Sequence, residues 1–332
     1  MARIAVLSTA HIHTNGFLEQ IEKAADGRAL HGIWDDAADR GRRYAEKFKV
    51  PFVDRIEQLI SDPAVDGFLI CAENTRHRPL LEKVIPIGKP VFCEKPLCTT
   101  AEDADAILRL LDGLPTVLFC GYFMPFGREF RAVARELEAG SLGQVTHARL
   151  VNAHHAAYGR WFDNPDLAWF HQPDLSGGGA LMDMGTHAVH ALCSFFGPAG
   201  AVWAEIANKS GEYPNADDFG VMHIRFKNGV FGTVEASWVQ TGGIGGLQIT
   251  GRQRTIWNTP QGYVMGGPDH PAAPLEMADT RPGGVERLVA AIRGQIDAGE
   301  LAADREAVFE AVRVMAAAYR SSGEGGKWVA LA

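Results

Sequence analysis

Hydrophobic positions change their period along the chain, and the change divides it into two parts. In the first part, short β-rich apolar runs alternate with segments of helical spacing. Residues 3–7 read as a strand, and Phe17, Leu18, Ile21, Ala24 and Ala25 then recur as one helix face. A strand over 29–34 is followed by a helix over 37–48, and 65–72 is a buried strand centred on Phe68-Leu69-Ile70. Lys89-Pro90-Val91 opens another short strand, Thr99 and Glu102 have capping-box spacing before a helix, and 116–121 is a further apolar strand. Strands alternating with helices at this spacing predict a doubly wound parallel sheet over 1–121.

From Tyr122 the rhythm changes. A helix over 126–140 precedes strands predicted over 144–151, 202–207, 219–226, 230–238, 246–250 and 255–257, with little helix between the later ones. Asn228-Gly229 is the strongest hairpin signal in the chain. The pattern predicts a second, α+β domain over 122–332 with an open, mostly antiparallel sheet packed on helices by one face. A large uncovered face of that kind suits a second subunit, so a homodimer or homotetramer is expected. Two closing helices, over 285–296 and 305–319, read as packing, and the Gly-, Pro- and Met-rich stretch 261–281 reads as a loop.

Composition narrows the partners. The 332 residues are 46% hydrophobic and 22% charged, values of an ordinary globular chain long enough for two domains of roughly 150 residues. A net charge of −8 without basic runs argues against nucleic acid or an anionic membrane as partner. No apolar stretch is long enough for a bilayer, and the N-terminus turns polar too early for a signal peptide. Five scattered cysteines without a C-x-x-C pair fit reduced thiols in a cytoplasm.

The candidate chemistry lies on strand-to-helix loops, the ligand edge of a parallel sheet. Phe92-Cys93-Glu94-Lys95-Pro96-Leu97 presents a lysine on stiff backbone, because proline keeps the preceding residue out of the helical region. An ammonium there can donate to a hydroxyl or carbonyl oxygen; a surface Lys–Glu pair in a turn is the plain alternative. The loop from Ser8 to Gly16 joins a strand to a helix, as a pyrophosphate site does. Ser8, Ala10 and His13 stand where three glycines would be expected. Asp35-Asp36 ends the second strand, roughly 20 residues beyond that loop, where a carboxylate accepts from ribose hydroxyls and repels a 2′-phosphate. That favours NAD over NADP, although either aspartate can also cap the next helix. Asn74 and His77 fall on a third such loop.

The densest segment is Ser176-Gly177-Gly178-Gly179-Ala180-Leu181-Met182-Asp183-Met184-Gly185-Thr186-His187. Asp183 and His187 are four apart on one helix face, with His190 three further on. A carboxylate beside an imidazole orients it and raises its pKa toward neutrality, which suits a general base. A structural helix pair, or a metal site from Asp183, His187 and His190, stays open on spacing alone, and no metal is expected. His154-His155, Tyr158, Arg160-Trp161 and Trp169-Phe170-His171-Gln172 mix flat apolar faces with donors, as a polyhydroxylated ring requires. Trp161 reads as a buried anchor.

Together these residues resemble the Gfo/Idh/MocA oxidoreductases. Glu94-Lys95-Pro96, followed in the second half by Gly-Gly-Gly-x-Leu-x-Asp-x-Gly-x-His ending at His187, is the combination that carries the resemblance. It implies a Rossmann domain binding NAD(P), a C-terminal sheet that mediates dimers or tetramers, and hydride transfer at a hydroxyl-bearing carbon of a sugar, anhydrosugar or cyclitol. Lys95, Asp183 and His187 then look like the catalytic groups. Ser8, Ala10, His11, Ile12, Asp35, Asn74, His77, Glu94 and Lys95 match cofactor positions. Lys95, Tyr122, His154, Arg160, Trp169, Asp183 and His187 match substrate positions. Pro125 occupies a place where relatives often carry arginine, which argues for an unphosphorylated substrate. The same residues would serve an enzyme that recycles bound NAD during glycoside cleavage or epimerisation. The altered glycine loop also leaves room for a non-catalytic sugar- or nucleotide-binding regulator.

Overall fold

The computed structural model describes residues 1–331. The described residues form two sheets. In the first, β1 (Ala2–Thr9), β2 (Arg28–Trp34), β3 (Gly67–Cys71), β4 (Val91–Cys93) and β5 (Leu118–Cys120) run parallel in the order β2-β1-β3-β4-β5. The strand order reverses between β1 and β3, and ligands bind beyond the carboxyl ends at such a switch point. Continuous apolar runs form these strands because helices cover both faces, and β3 to β5 are buried throughout. Helix Ala101–Leu111 starts one residue later than the capping-box spacing suggested, because Thr100 accepts from the Asp103 amide at 3.1 Å.

The second sheet contains β6 (Val145–Ala153), β7 (Ala199–Ala207), β8 (Phe219–Phe226), β9 (Phe231–Ser237), β10 (Gly246–Gly251), β11 (Thr255–Thr259), β12 (Gly262–Gly267), β13 (His270–Pro274) and β14 (Val329–Ala330). Their order is β13-β12-β11-β10-β6-β9-β8-β7-β14, antiparallel except for the β6–β9 pair. The stretch read as a loop over 261–281 therefore supplies two strands. Their register is set by pairing with β11, and β13 is exposed along its whole length, so no hydrophobic alternation announces it.

One face of this sheet packs on helices Thr186–Phe196 and Ala298–Gly323 through Leu192, Val202, Ile224, Val234, Val314 and Met315. On the other face Trp203, His223 and Phe231 form a row across β7, β8 and β9, with ring centroids 5.2 and 5.3 Å apart. Ala298–Gly323 also gives Val308, Phe309 and Val312 to the core beneath β3, β4 and β5. Helix Val285–Ile292 places Val285, Leu288 and Val289 with Ile4, Val6 and Phe92 on the other side of the first sheet. The C-terminal helices thus pack on both sheets. No described helix is long and apolar enough to cross a membrane.

Candidate active site

Lys95 follows β4 and enters the space between the two sheets. Its Nζ donates to Asp183 Oδ1 at 2.6 Å and to the Asp183 carbonyl at 3.2 Å, and its side chain is 3% exposed. Asp183 lies on a single π turn, Leu181–Gly185, that precedes helix Thr186–Phe196. Such turns are rare and collect at functional sites. The second Asp183 oxygen accepts from Trp238 Nε1 at 3.0 Å. Burial opposes ionisation of Asp183, but the Lys95 ammonium and the Trp238 donor outweigh it and hold the carboxyl below its ordinary range.

His187 is buried beside this pair, and its Nδ1 has no hydrogen-bond partner. No hydrogen bond joins Asp183 to the imidazole; the two Asp183 oxygens are directed at Lys95 and Trp238 instead. The expected rise in pKa is likewise reversed. Burial and the Lys95 charge push the imidazole well below its usual value, which leaves it neutral. A cavity of about 240 Å³ opens over these groups and is lined by Ile12, His13, Lys95, Phe123, Asn152, His154, Trp161, Phe162, Phe170, Asp183, Met184 and His187. Lys95 from the first sheet and His187 from the second region thus share one cavity.

Several expected residues serve this cavity from behind. Tyr122 is buried, hydrogen-bonds Thr186 Oγ1 at 2.7 Å and stacks on His190 at 4.1 Å. His77 is buried with its two ring nitrogens on the carbonyls of Pro96 and Ala72, which fixes the turn after Lys95. His154 stands against Trp161 at 4.8 Å in the cavity wall. Trp161 is 41% exposed and lines the cavity, which corrects its reading as a buried anchor. Trp169 is the buried one, donating to the Ala10 carbonyl at 3.1 Å. Arg160 lies apart, paired with Asp163 and Glu212 on the surface. Trp238, Phe123 and Asn152 went unnoticed in the sequence; an indole donor at the end of β9 was the only available hint.

The first sheet's ligand edge is polar and tightly packed. Ser8 adopts φ 67°, the left-handed conformation a glycine takes easily, so the turn survives without its glycine. Asp35 accepts from Thr9 N (2.8 Å), Thr9 Oγ1 (2.5 Å), Ala37 N (2.9 Å) and Arg40 Nε (2.9 Å) and Nη2 (2.7 Å). Those partners use the lone pairs expected to serve a ribose, and Arg40 cancels the charge expected to repel a 2′-phosphate. At the end of β3, by contrast, Glu73 Oε2 and Asn74 Oδ1 are buried acceptors with no hydrogen-bond donor. Asn74 Nδ2 donates to the Ser176 carbonyl at 2.8 Å and Thr75 Oγ1 to the Asp174 carbonyl at 3.0 Å, so residues 169–176 lie across this edge.

Glu94 is buried at the inner end of the same edge. Its Oε2 accepts from Lys95 N at 2.8 Å, and Gly121 makes the room, since a Cβ there would stand 2.7 Å from that oxygen. Its Oε1 lies 3.2 Å from His13 Nδ1 and 3.7 Å from His11 Nδ1. Burial opposes the Glu94 charge, and the two imidazoles with the Lys95 ammonium outweigh it. Burial pushes His11 down to about 3.

Comparison with known proteins agrees with this architecture. Residues 3–122 match the model of an oxidoreductase family with an NAD-binding Rossmann fold, and 130–257 match the GFO/IDH/MocA C-terminal domain. A myo-inositol 2-dehydrogenase of Thermotoga maritima is 27% identical over 224 residues, covering 65% of this chain and 63% of that protein. A 1,5-anhydro-D-fructose reductase of Ensifer adhaerens is 26% identical over 235 residues, 70% and 68% of the two chains. The first match therefore spans less than two thirds of its relative's length. An NAD+ complex of an inositol dehydrogenase homolog from Azotobacter vinelandii superposes with a TM-score of 0.82 at 20% identity, over 99% of this chain and 97% of that one. With both family models matched in sequence order and the two-sheet architecture in place, the chain is a member of the Gfo/Idh/MocA oxidoreductase family.

Proposed function

We propose that the protein is an NAD-dependent dehydrogenase or reductase acting at a hydroxyl-bearing carbon of an unphosphorylated sugar, anhydrosugar or cyclitol. The observation that carries this reading is the shared cavity of Lys95, Asp183 and His187 at the carboxyl edge of a Rossmann sheet. The Asn74 Oδ1 acceptor, which has no hydrogen-bond partner, and Glu73 Oε2, which has only the Arg76 guanidinium at 3.6 Å, fit ribose hydroxyls, and the Ser8 to His13 turn fits the phosphates at the helix start. NAD bound there supplies the hydride acceptor or donor.

The chain's own groups do the rest. Lys95, held by two hydrogen bonds to Asp183, has one N–H left for a substrate oxygen in the cavity and stabilises alkoxide charge developing there. His187 is neutral, and its bare ring nitrogen can take the hydroxyl proton or return it. Trp161, Phe162 and His154 offer flat faces and a donor to a polyol ring. Lys95 is the cavity's lysine and no arginine lines it, which supports an uncharged substrate. Assembly through the Trp203–His223–Phe231 face into a dimer or tetramer belongs to the same reading, as does a reducing cytoplasmic setting for five buried free thiols.

The test is a screen for nucleotide reduction across aldoses, anhydrosugars, inositols and sugar acids with NAD and with NADP. NADH accumulating in proportion to substrate supports the proposal. Turnover with catalytic NAD and no net NADH would move the assignment to a cofactor-recycling enzyme. Absence of nucleotide binding would reduce it to a regulator.

A further inference from the structure

The geometry points to a divalent transition-metal site formed by His11, His13 and Glu94. It is the one group of three close donors of this type among the described residues, with ligand atoms all within 4.8 Å of one another. Donors sharing an ion at about 2.1 Å stand roughly 3.0–3.4 Å apart. Glu94 Oε1 and His13 Nδ1, at 3.2 Å, already meet that spacing, whereas His11 Nδ1 is 3.7 Å from the same oxygen and the three donors, spread over as much as 4.8 Å, have to draw in around an ion.

Two further observations support an ion here. The Glu94 carboxylate and the His11 side chain are fully buried, yet His11 Nε2 has no hydrogen-bond partner and its Nδ1 only a long one, 3.3 Å from the His13 amide. Glu94 is held from behind through Oε2 by the Lys95 amide, an outer-shell contact that aims Oε1 at the imidazoles. Two imidazoles and one carboxylate suit zinc, cobalt, manganese or iron(II) better than calcium or magnesium. His13 is 44% exposed and lines the 240 Å³ cavity, so an ion would reach the site past that side chain. Spacing alone does not announce this group, since His11 and His13 occupy a loop associated with glycine and Glu94 lies far along the chain.

The test reads the ion itself, so it is decided apart from the dehydrogenase assignment. The full-length protein is stripped with chelator and titrated with Co2+ and Zn2+ by calorimetry, with the visible Co2+ spectrum recorded in parallel. One equivalent should bind with a tetrahedral or five-coordinate spectrum. His13→Ala and Glu94→Gln should each weaken binding by more than about 100-fold, beyond the loss typical of an outer-shell partner. His13→Ala changes a half-exposed side chain, so its fold is secure, and circular dichroism checks Glu94→Gln. No stoichiometric binding to the wild type, or binding unchanged in His13→Ala, overturns the site.

Discussion

Lys95 Nζ and Asp183 Oδ1 stand 2.6 Å apart, and each comes from a different sheet's framework. A buried pair of this kind is costly to break on one side, about 3–5 kcal/mol, because it strands the other charge. Lys95→Ala should therefore abolish turnover and also lower the urea midpoint. Lys95→Met combined with Asp183→Asn should recover much of the stability while leaving turnover absent. Denaturant titration and initial rates on the same preparations check both halves.

His187→Ala should lower kcat by roughly 10²–10⁴-fold, the range for loss of a positioned acid–base group. Burial and Lys95 keep the wild-type imidazole neutral well below its ordinary pKa of 6.5. The rate should accordingly show no acid limb centred near 6.5. A short-time pH profile of kcat that falls with a midpoint near 6.5, and loses that midpoint in His187→Ala, would contradict this.

Acid should destabilise the fold through the same burial. For His11 and His187 the folded pKa lies below the unfolded value of 6.5, so the unfolded chain binds more protons in the interval between. Their contribution is complete above 6.5 and declines as pH falls, by about 1.4 kcal/mol per pH unit for each group. Urea midpoints measured from pH 8 down to 5 should be level at first and then drop. Glu94 and Asp183, whose folded pKa values are depressed, add losses only further down, below the ordinary carboxylate range.

Arg160→Ala should leave kcat/KM within about twofold of wild type, since a surface ion pair contributes little. His154→Ala, in the cavity wall, should raise KM for the polyol. Steady-state kinetics on the two variants separate the residues that the sequence had grouped as substrate contacts.

Trp203→Asp or Phe231→Asp places a charge in the aromatic row on the outer sheet face. Light scattering coupled to gel filtration should report a dimer or larger for the wild type and a smaller species for the variants. Identical masses would place the interface elsewhere.

Much of the fold is legible in the sequence because burial on two faces leaves continuous apolar runs, as in β3 to β5. β13 is missed for the opposite reason: its five residues are exposed and two are proline, so neither period nor composition marks it. Spacing brings Asp183 and His187 to one segment, but it cannot reveal that Trp238, from the end of β9, takes the oxygen His187 was expected to use. Asp35 shows the same limit. Its place after β2 suggests a ribose ligand, whereas Arg40 and Thr9 saturate it through contacts visible only in three dimensions.

The helix Ala298–Gly323 has a mechanical consequence. Val308, Phe309 and Val312 are bolted into one core and Val314, Met315 and Ala318 into the other, so a single rod splints both halves. Heating should give one calorimetric endotherm, and neither half cut out alone should keep its shape. For the halves to swing apart like jaws, that rod would have to leave one of the two cores, so the approach of the ammonium to the imidazole is tied to the packing of a helix that touches neither.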